Sequence, residues 1–93
     1  MLIFICFDCQ DDSRPANLAD IDATIRAAAS QTERPMTSLW LVDTTDSVDA
    51  WSDRLDPYAL DSHGFLFIGT VGEPTNGMLP RRLWSWINSR TMV

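Results

Sequence analysis

Three stretches of the chain are apolar at nearly every position. Residues 2–7 (Leu-Ile-Phe-Ile-Cys-Phe) close on Asp8, residues 39–42 (Leu-Trp-Leu-Val) lie within 38–43, and residues 65–68 (Phe-Leu-Phe-Ile) follow the polar turn Asp61-Ser62-His63-Gly64. Short apolar runs rich in β-branched and aromatic residues, bounded by turn formers, read as buried strands. The intervening segments repeat at helical spacing. Leu18, Ile21, Ile25 and Ala28 share one face behind Asn17, a good N-cap, with Asp20 and Asp22 in the early turns; residues 30–34 end this helix. Val48, Trp51 and Leu55 follow Asp46 or Ser47 as cap, and Pro57 is expected to break that helix. Pro80 opens a third helix with Leu79, Leu83, Trp86 and Ile87 on one side. Pro35-Met36-Thr37 is read as a short edge strand forming a hairpin with 38–43, and a long loop begins at Gly69.

This order predicts one α+β domain over residues 1–93, a ferredoxin-like βαββαβ sandwich with an extra C-terminal helix. A sheet with one wet face carries polar residues at every second strand position. These strands do not: Leu2, Phe4 and Cys6 oppose Ile3, Ile5 and Phe7, and residues 39–42 and 65–68 are likewise apolar on both sides. Two helices cover only one face. The third helix folding back would cover part of the other, whereas a second copy packed about a two-fold axis would cover all of it. Burying that area is worth several kcal/mol, a large share of a small domain's stability. The pattern therefore predicts a homodimer through the sheet face.

Charge narrows the choice of partners. The 93 residues carry a net charge of −6, and all seven basic residues are Arg. Such a chain repels phosphate backbones at long range, which disfavours nucleic acid as a partner. The acids stop short of the C-terminal part, however. After His63 the only one is Glu73, against Arg81, Arg82 and Arg90. No run is long enough to span a membrane, and residues 1–7 lack the basic region and cleavage site of a signal peptide. A cytoplasmic location is expected, with Cys6 and Cys9 as thiols.

Candidate chemistry is sparse. Asp8, a carboxylate at a strand end, becomes a Mg²⁺ ligand if a dimer axis doubles it; alone it is a solvated strand terminator. Cys6-Phe7-Asp8-Cys9 matches C-x-x-C, but Cys6 lies inside an apolar strand rather than at a helix N-terminus, and only His63 remains as a nitrogen donor for zinc. His63 beside Ser62 and Asp61 is no triad, since neighbours in a turn point apart. Arg81, Arg82 and Arg90, with Trp84 off the buried face, form the one patch suited to anion or nucleic-acid contact; the plain reading is a solvated helix face balancing the acidic body.

The segments Ile3-Phe4-Ile5-Cys6-Phe7-Asp8, Ser38-Leu39-Trp40-Leu41-Val42, Phe65-Leu66-Phe67-Ile68, Gly72-Glu73 and Leu83-Trp84-Ser85-Trp86-Ile87 resemble the small SinR-like proteins. These are grouped with the CRISPR-associated spacer-acquisition endoribonuclease family and the VapD-like toxins. The resemblance implies a ferredoxin-like fold dimerised through its sheet. It also implies, from the nuclease members, a divalent metal held between the Asp8 carboxylates of two subunits. The acidic charge and the closing helix depart from those members, which tend to be basic and carry a further strand there. Two readings follow. One is a dimeric binding or assembly module of the SinR-like kind, its partner not identifiable from sequence. The other is a Mg-dependent endoribonuclease or endonuclease using Asp8 from each subunit, with Arg81 and Arg82 positioning phosphate.

Overall fold

The computed structural model describes residues 1–8, 16–62, 64–72 and 77–91, with side chains except those of 16, 17, 60–62 and 91. The elements run β1 (Leu2–Asp8), α1 (Ala16–Ala28), β2 (Gln31–Met36), β3 (Leu39–Asp43), α2 (Val48–Ser62), β4 (Phe65–Thr70) and α3 (Arg81–Thr91). The strands form one antiparallel sheet in the order β2-β3-β1-β4. No helix among the described residues is long and apolar enough to cross a membrane.

The main core lies between the sheet and the helices α1 and α2. Ile3, Ile5 and Phe7 from β1 meet Trp40 and Val42 from β3, Ile21 and Ile25 from α1, and Trp51 and Leu55 from α2, all without exposed surface. Leu66 and Ile68 of β4 complete it. Both buried indoles find acceptors: Trp40 Nε1 donates to Asp22 Oδ1 at 2.9 Å, and Trp51 Nε1 donates to Thr44 Oγ1 at 3.1 Å. A buried indole without an acceptor costs about 1–3 kcal/mol, so these two bonds hold the rings in register with the helices.

Asp22 illustrates how charge enters this layer. Burial pushes its carboxyl up, but hydrogen bonds from Trp40 and Arg26 and the charges of Arg26 and Arg34 outweigh that, leaving it below the ordinary 3.8. A depressed carboxylate stabilises the fold above its unfolded value and loses that contribution as pH falls through its folded value. Urea unfolding at about pH 5 and about pH 2.5 should therefore show a wider loss for wild type than for Asp22→Asn, which keeps an acceptor for Trp40 but does not titrate.

Several local expectations are corrected. Residues 31–34 do not end α1; they belong to β2, which starts four residues before Pro35 and pairs Gln31, Thr32 and Glu33 with Asp43, Val42 and Leu41. Pro35 coincides with a register shift between Glu33 and Met36, where a missing N–H does least harm. The hairpin turn is at Thr37 and Ser38. Asn17 lies inside α1 rather than before it. Ser47 is the cap of α2, its Oγ accepting from Ala50 N at 3.1 Å. Pro57 does not break α2, which continues to Ser62. It sits on the exposed side, while Leu55, Tyr58 and Ala59 hold the inner side against the core. Asp61 and Ser62 are thus helical rather than part of a turn, and β4 extends through Gly69. Cys9, Asp11, Asp12, His63 and Glu73 lie outside the described residues.

Candidate functional site

The opposite face of the sheet is assembled row by row. The register aligns Leu2 with Asp43 and Gln31, then Gly69, Phe4, Leu41 and Glu33, then Phe67, Cys6, Leu39 and Met36, with Asp8 and Phe65 last. Helix α3 lies over the first rows. Leu83 and Ile87 are buried, and Ile87 clusters with Leu2 and Leu41, flanked by Phe4, Val71, Leu79, Trp84 and Trp86. Trp84 was expected off the buried face. It is instead half-buried, one wall of an apolar groove.

Polar contacts flank this apolar seat of α3. Arg90 Nε donates to Asp43 Oδ2 at 3.1 Å, its Nη2 donates to Gln31 Oε1, and its guanidinium stacks 4.1 Å from the Trp86 ring. Trp86 Nε1 donates to the same Gln31 oxygen at 3.2 Å. Near the other end of the helix, Arg82 Nη1 meets Glu33 Oε1 at 3.1 Å. Arg34 over Trp40 (4.5 Å) and Arg54 over Trp51 (4.3 Å) repeat the stacking. A flat, always-charged guanidinium suits such stacking better than an ammonium, which gives the Arg-only usage a structural role.

The residues predicted to handle anions or metal are therefore not gathered in one place. Arg82 and Arg90 are each engaged by a carboxylate of the same chain, and Arg81 is exposed in the first helical turn. Arg90 meets the sheet at the Leu2 end of β1, and Asp8 lies at the other, roughly 20 Å away at about 3.4 Å per residue. Asp8 is exposed and shares the open face with Phe65. Among the described residues, no three His, Cys, Asp or Glu side chains cluster as a metal site.

What the arrangement does offer is uncovered apolar surface. Comparison with family models, with curated proteins and with solved structures returned no match. Beyond the reach of α3, Phe65 and Phe67 are 69% and 70% exposed, Met36 54% and Met78 96%. Phe67 tilts against Phe4, ring centroids 5.3 Å apart, and Phe4 lies on Gly69, where an added Cβ would come within 2.7 Å of the ring. Glycine at 69 lets the ring approach the strand closely, so the aromatic pair is seated on the sheet. At the β2–β3 side the face sinks into a groove of about 240 Å³, walled by Met36, Leu39, Leu79 and Trp84. The apolar pattern signalled Phe4, Leu39, Phe65 and Phe67 only as parts of two-sided strands, and Met36 as part of an edge strand; which of them remain uncovered follows from the position of α3.

Proposed function

We propose that the chain is a dimeric ferredoxin-like binding or assembly module of the SinR-like kind, self-associating through the part of its sheet that α3 leaves open. The order of elements, and the packing of α1 and α2 on one face, support the ferredoxin-like reading. The observation that carries the dimer is the row Phe67, Cys6, Leu39 and Met36, continued by Phe65, on a face that α3 does not reach and where Phe65, Phe67 and Met36 are exposed. Two phenyl side chains exposed at about 70% are unusual on a monomer this small, and contiguous exposed apolar surface marks an interaction site. Their burial would contribute several kcal/mol per protomer. Sedimentation velocity on dilution from about 100 μM to about 1 μM should show a dimer throughout the upper part of that range. A single copy at every concentration would sink the proposal.

The metal-dependent nuclease reading has one supporting feature, the position of Asp8 at the rim of the same face. The intrachain partners of Arg82 and Arg90 weigh against it, because they leave less positive charge to hold phosphate.

A further inference from the structure

We infer that the free edge of β4 takes an added strand from a partner protein, an extended segment in which apolar residues alternate with Lys or Arg. This goes beyond the dimer proposed above and does not depend on it, since a sheet edge points sideways from the face that would pair.

The two edges of the sheet differ in protection. β2, at one edge, carries Glu33, Arg34 and Pro35 and a register shift between Glu33 and Met36, devices that discourage a further strand. β4, at the other, reads Phe65-Leu66-Phe67-Ile68-Gly69-Thr70, uncharged, without proline and in unbroken register with β1. Val71 N donates to Leu2 O at 2.9 Å, which fixes the phase of the ladder. Antiparallel pairs alternate between bonded and non-bonded. Phe65, Phe67 and Gly69 therefore turn their backbone groups to β1, and Leu66, Ile68 and Thr70 turn theirs outward. Among the described residues, no further strand meets those outward N–H and C=O groups. The core is open on this side as well. Leu66 and Ile68 pack against it yet stay half-buried, whereas Ile3, Ile5 and Val42 on the inner strands have no exposed surface. An uncharged edge of this kind is a template for strand addition.

Charge selects the occupant. α2 packs on β4, and the hydrogen bond between the Tyr58 and Thr24 hydroxyls turns one flank of the helix to α1. At about 100° per residue, Asp49, Ser52 and Asp56 fall on the other flank, the one above the β4 edge. Asp49 and Asp56 are exposed, and Ser52 Oγ donates to Asp56 Oδ1 at 3.3 Å. The helix's one cation, Arg54, faces away and pairs with Asp46. A strand added beside β4 sends alternate side chains to opposite faces. Those opposite Phe65, Phe67 and Gly69 lie on the open face, beside two exposed phenyl rings. Those opposite Leu66, Ile68 and Thr70 lie beneath the acidic flank. There a Lys or Arg stem covers the half-buried aliphatic side chains while its charge reaches Asp49 or Asp56. A second copy of β4 fits less well. Its two-fold axis would set the acidic flanks of the two α2 helices face to face, and like charges so placed oppose association.

The test titrates the protein, at about 50 mM salt, into a fluorescent, capped hexapeptide of Val-Lys repeats. Anisotropy should show saturable binding, and hydrogen exchange should show new protection at the Leu66, Ile68 and Thr70 amides. Asp49→Asn combined with Asp56→Asn, both at exposed positions, should weaken binding about fivefold or more and leave the circular dichroism unchanged. A peptide N-methylated at the residues that face the edge keeps its charge but loses its donors, and should not bind. No binding of the Val-Lys peptide, or equal binding of the N-methylated one, would overturn strand addition. Equal binding of a Val-Glu repeat would overturn the selection by charge. Leu66, Ile68 and Thr70 amides that are protected in the free protein and lose protection on dilution would assign the edge to a second copy and overturn the inference.

Discussion

Replacing Trp51 with alanine is expected to remove about half of the chain's folding stability and to lower its urea midpoint to match. The indole has no exposed surface and lies in the cluster that joins α2 to β1 and β3. Truncating a buried Trp costs about 3–5 kcal/mol through lost transfer energy and the cavity left behind. The side chain is also half of a polar joint. Thr44, itself 3% exposed, accepts from Trp51 Nε1 and from Asp46 N (3.0 Å) through one hydroxyl, and Arg54 stacks on the outer ring face while pairing with Asp46 at 3.1 Å. Removing the ring leaves Thr44 with one partner fewer and strips the Arg54 guanidinium of its stack. A domain of this size has about 5–10 kcal/mol in total, so the loss takes a large fraction of it. Urea titration followed by circular dichroism measures this directly, and a midpoint close to that of wild type would show that the core between helices and sheet is not organised around Trp51.

Phe67→Asp should have the opposite profile, with a large effect on assembly and a small one on folding. The ring is 70% exposed and, among the described residues, pairs with the Phe4 ring, so the fold loses about 0.5–1.5 kcal/mol from that contact. At an interface the same change buries a carboxylate twice per dimer, in a protein already at −6. Unpaired buried charge costs several kcal/mol, enough to raise the dissociation constant by more than about a hundredfold. The proposed dimer predicts a folded monomer for this variant at concentrations where wild type would pair. Sedimentation and thermal melting together separate the outcomes: an unfolded variant would mean that Phe67 supports its own chain, and an intact dimer would mean that the interface lies elsewhere.

The sequence was most legible where burial demands continuous apolar character. The strands at residues 2–8, 39–43 and 65–70 stand out because both of their faces are apolar, and the inward positions of α1 and α2 stand out because a helix needs only one apolar stripe. β2 does not stand out. Gln31-Thr32-Glu33-Arg34-Pro35-Met36 has no alternation, and it is a strand because β3 offers it a ladder; charges and a proline suit an edge strand that must not recruit a further one. Pro57 misled for a related reason, since the packing of its helix outweighs one lost hydrogen bond.

Hydrophobic pattern by itself determined that this chain carries a two-sided sheet with more apolar surface than two helices can hide, because side-chain alternation along a strand is a local property. Which part of that surface stays open was decided only by tertiary structure. α3 is seated by Ile87 packing on Leu2 and Leu41, and its seat is flanked by Arg90 reaching Asp43, Arg82 reaching Glu33 and Trp86 reaching Gln31, pairs that are 47, 49 and 55 residues apart in the chain. Contacts between such distant residues leave no periodic signal in either segment, and two of the three arginines that look like an anion site in the sequence, Arg82 and Arg90, instead reach carboxylates of the sheet.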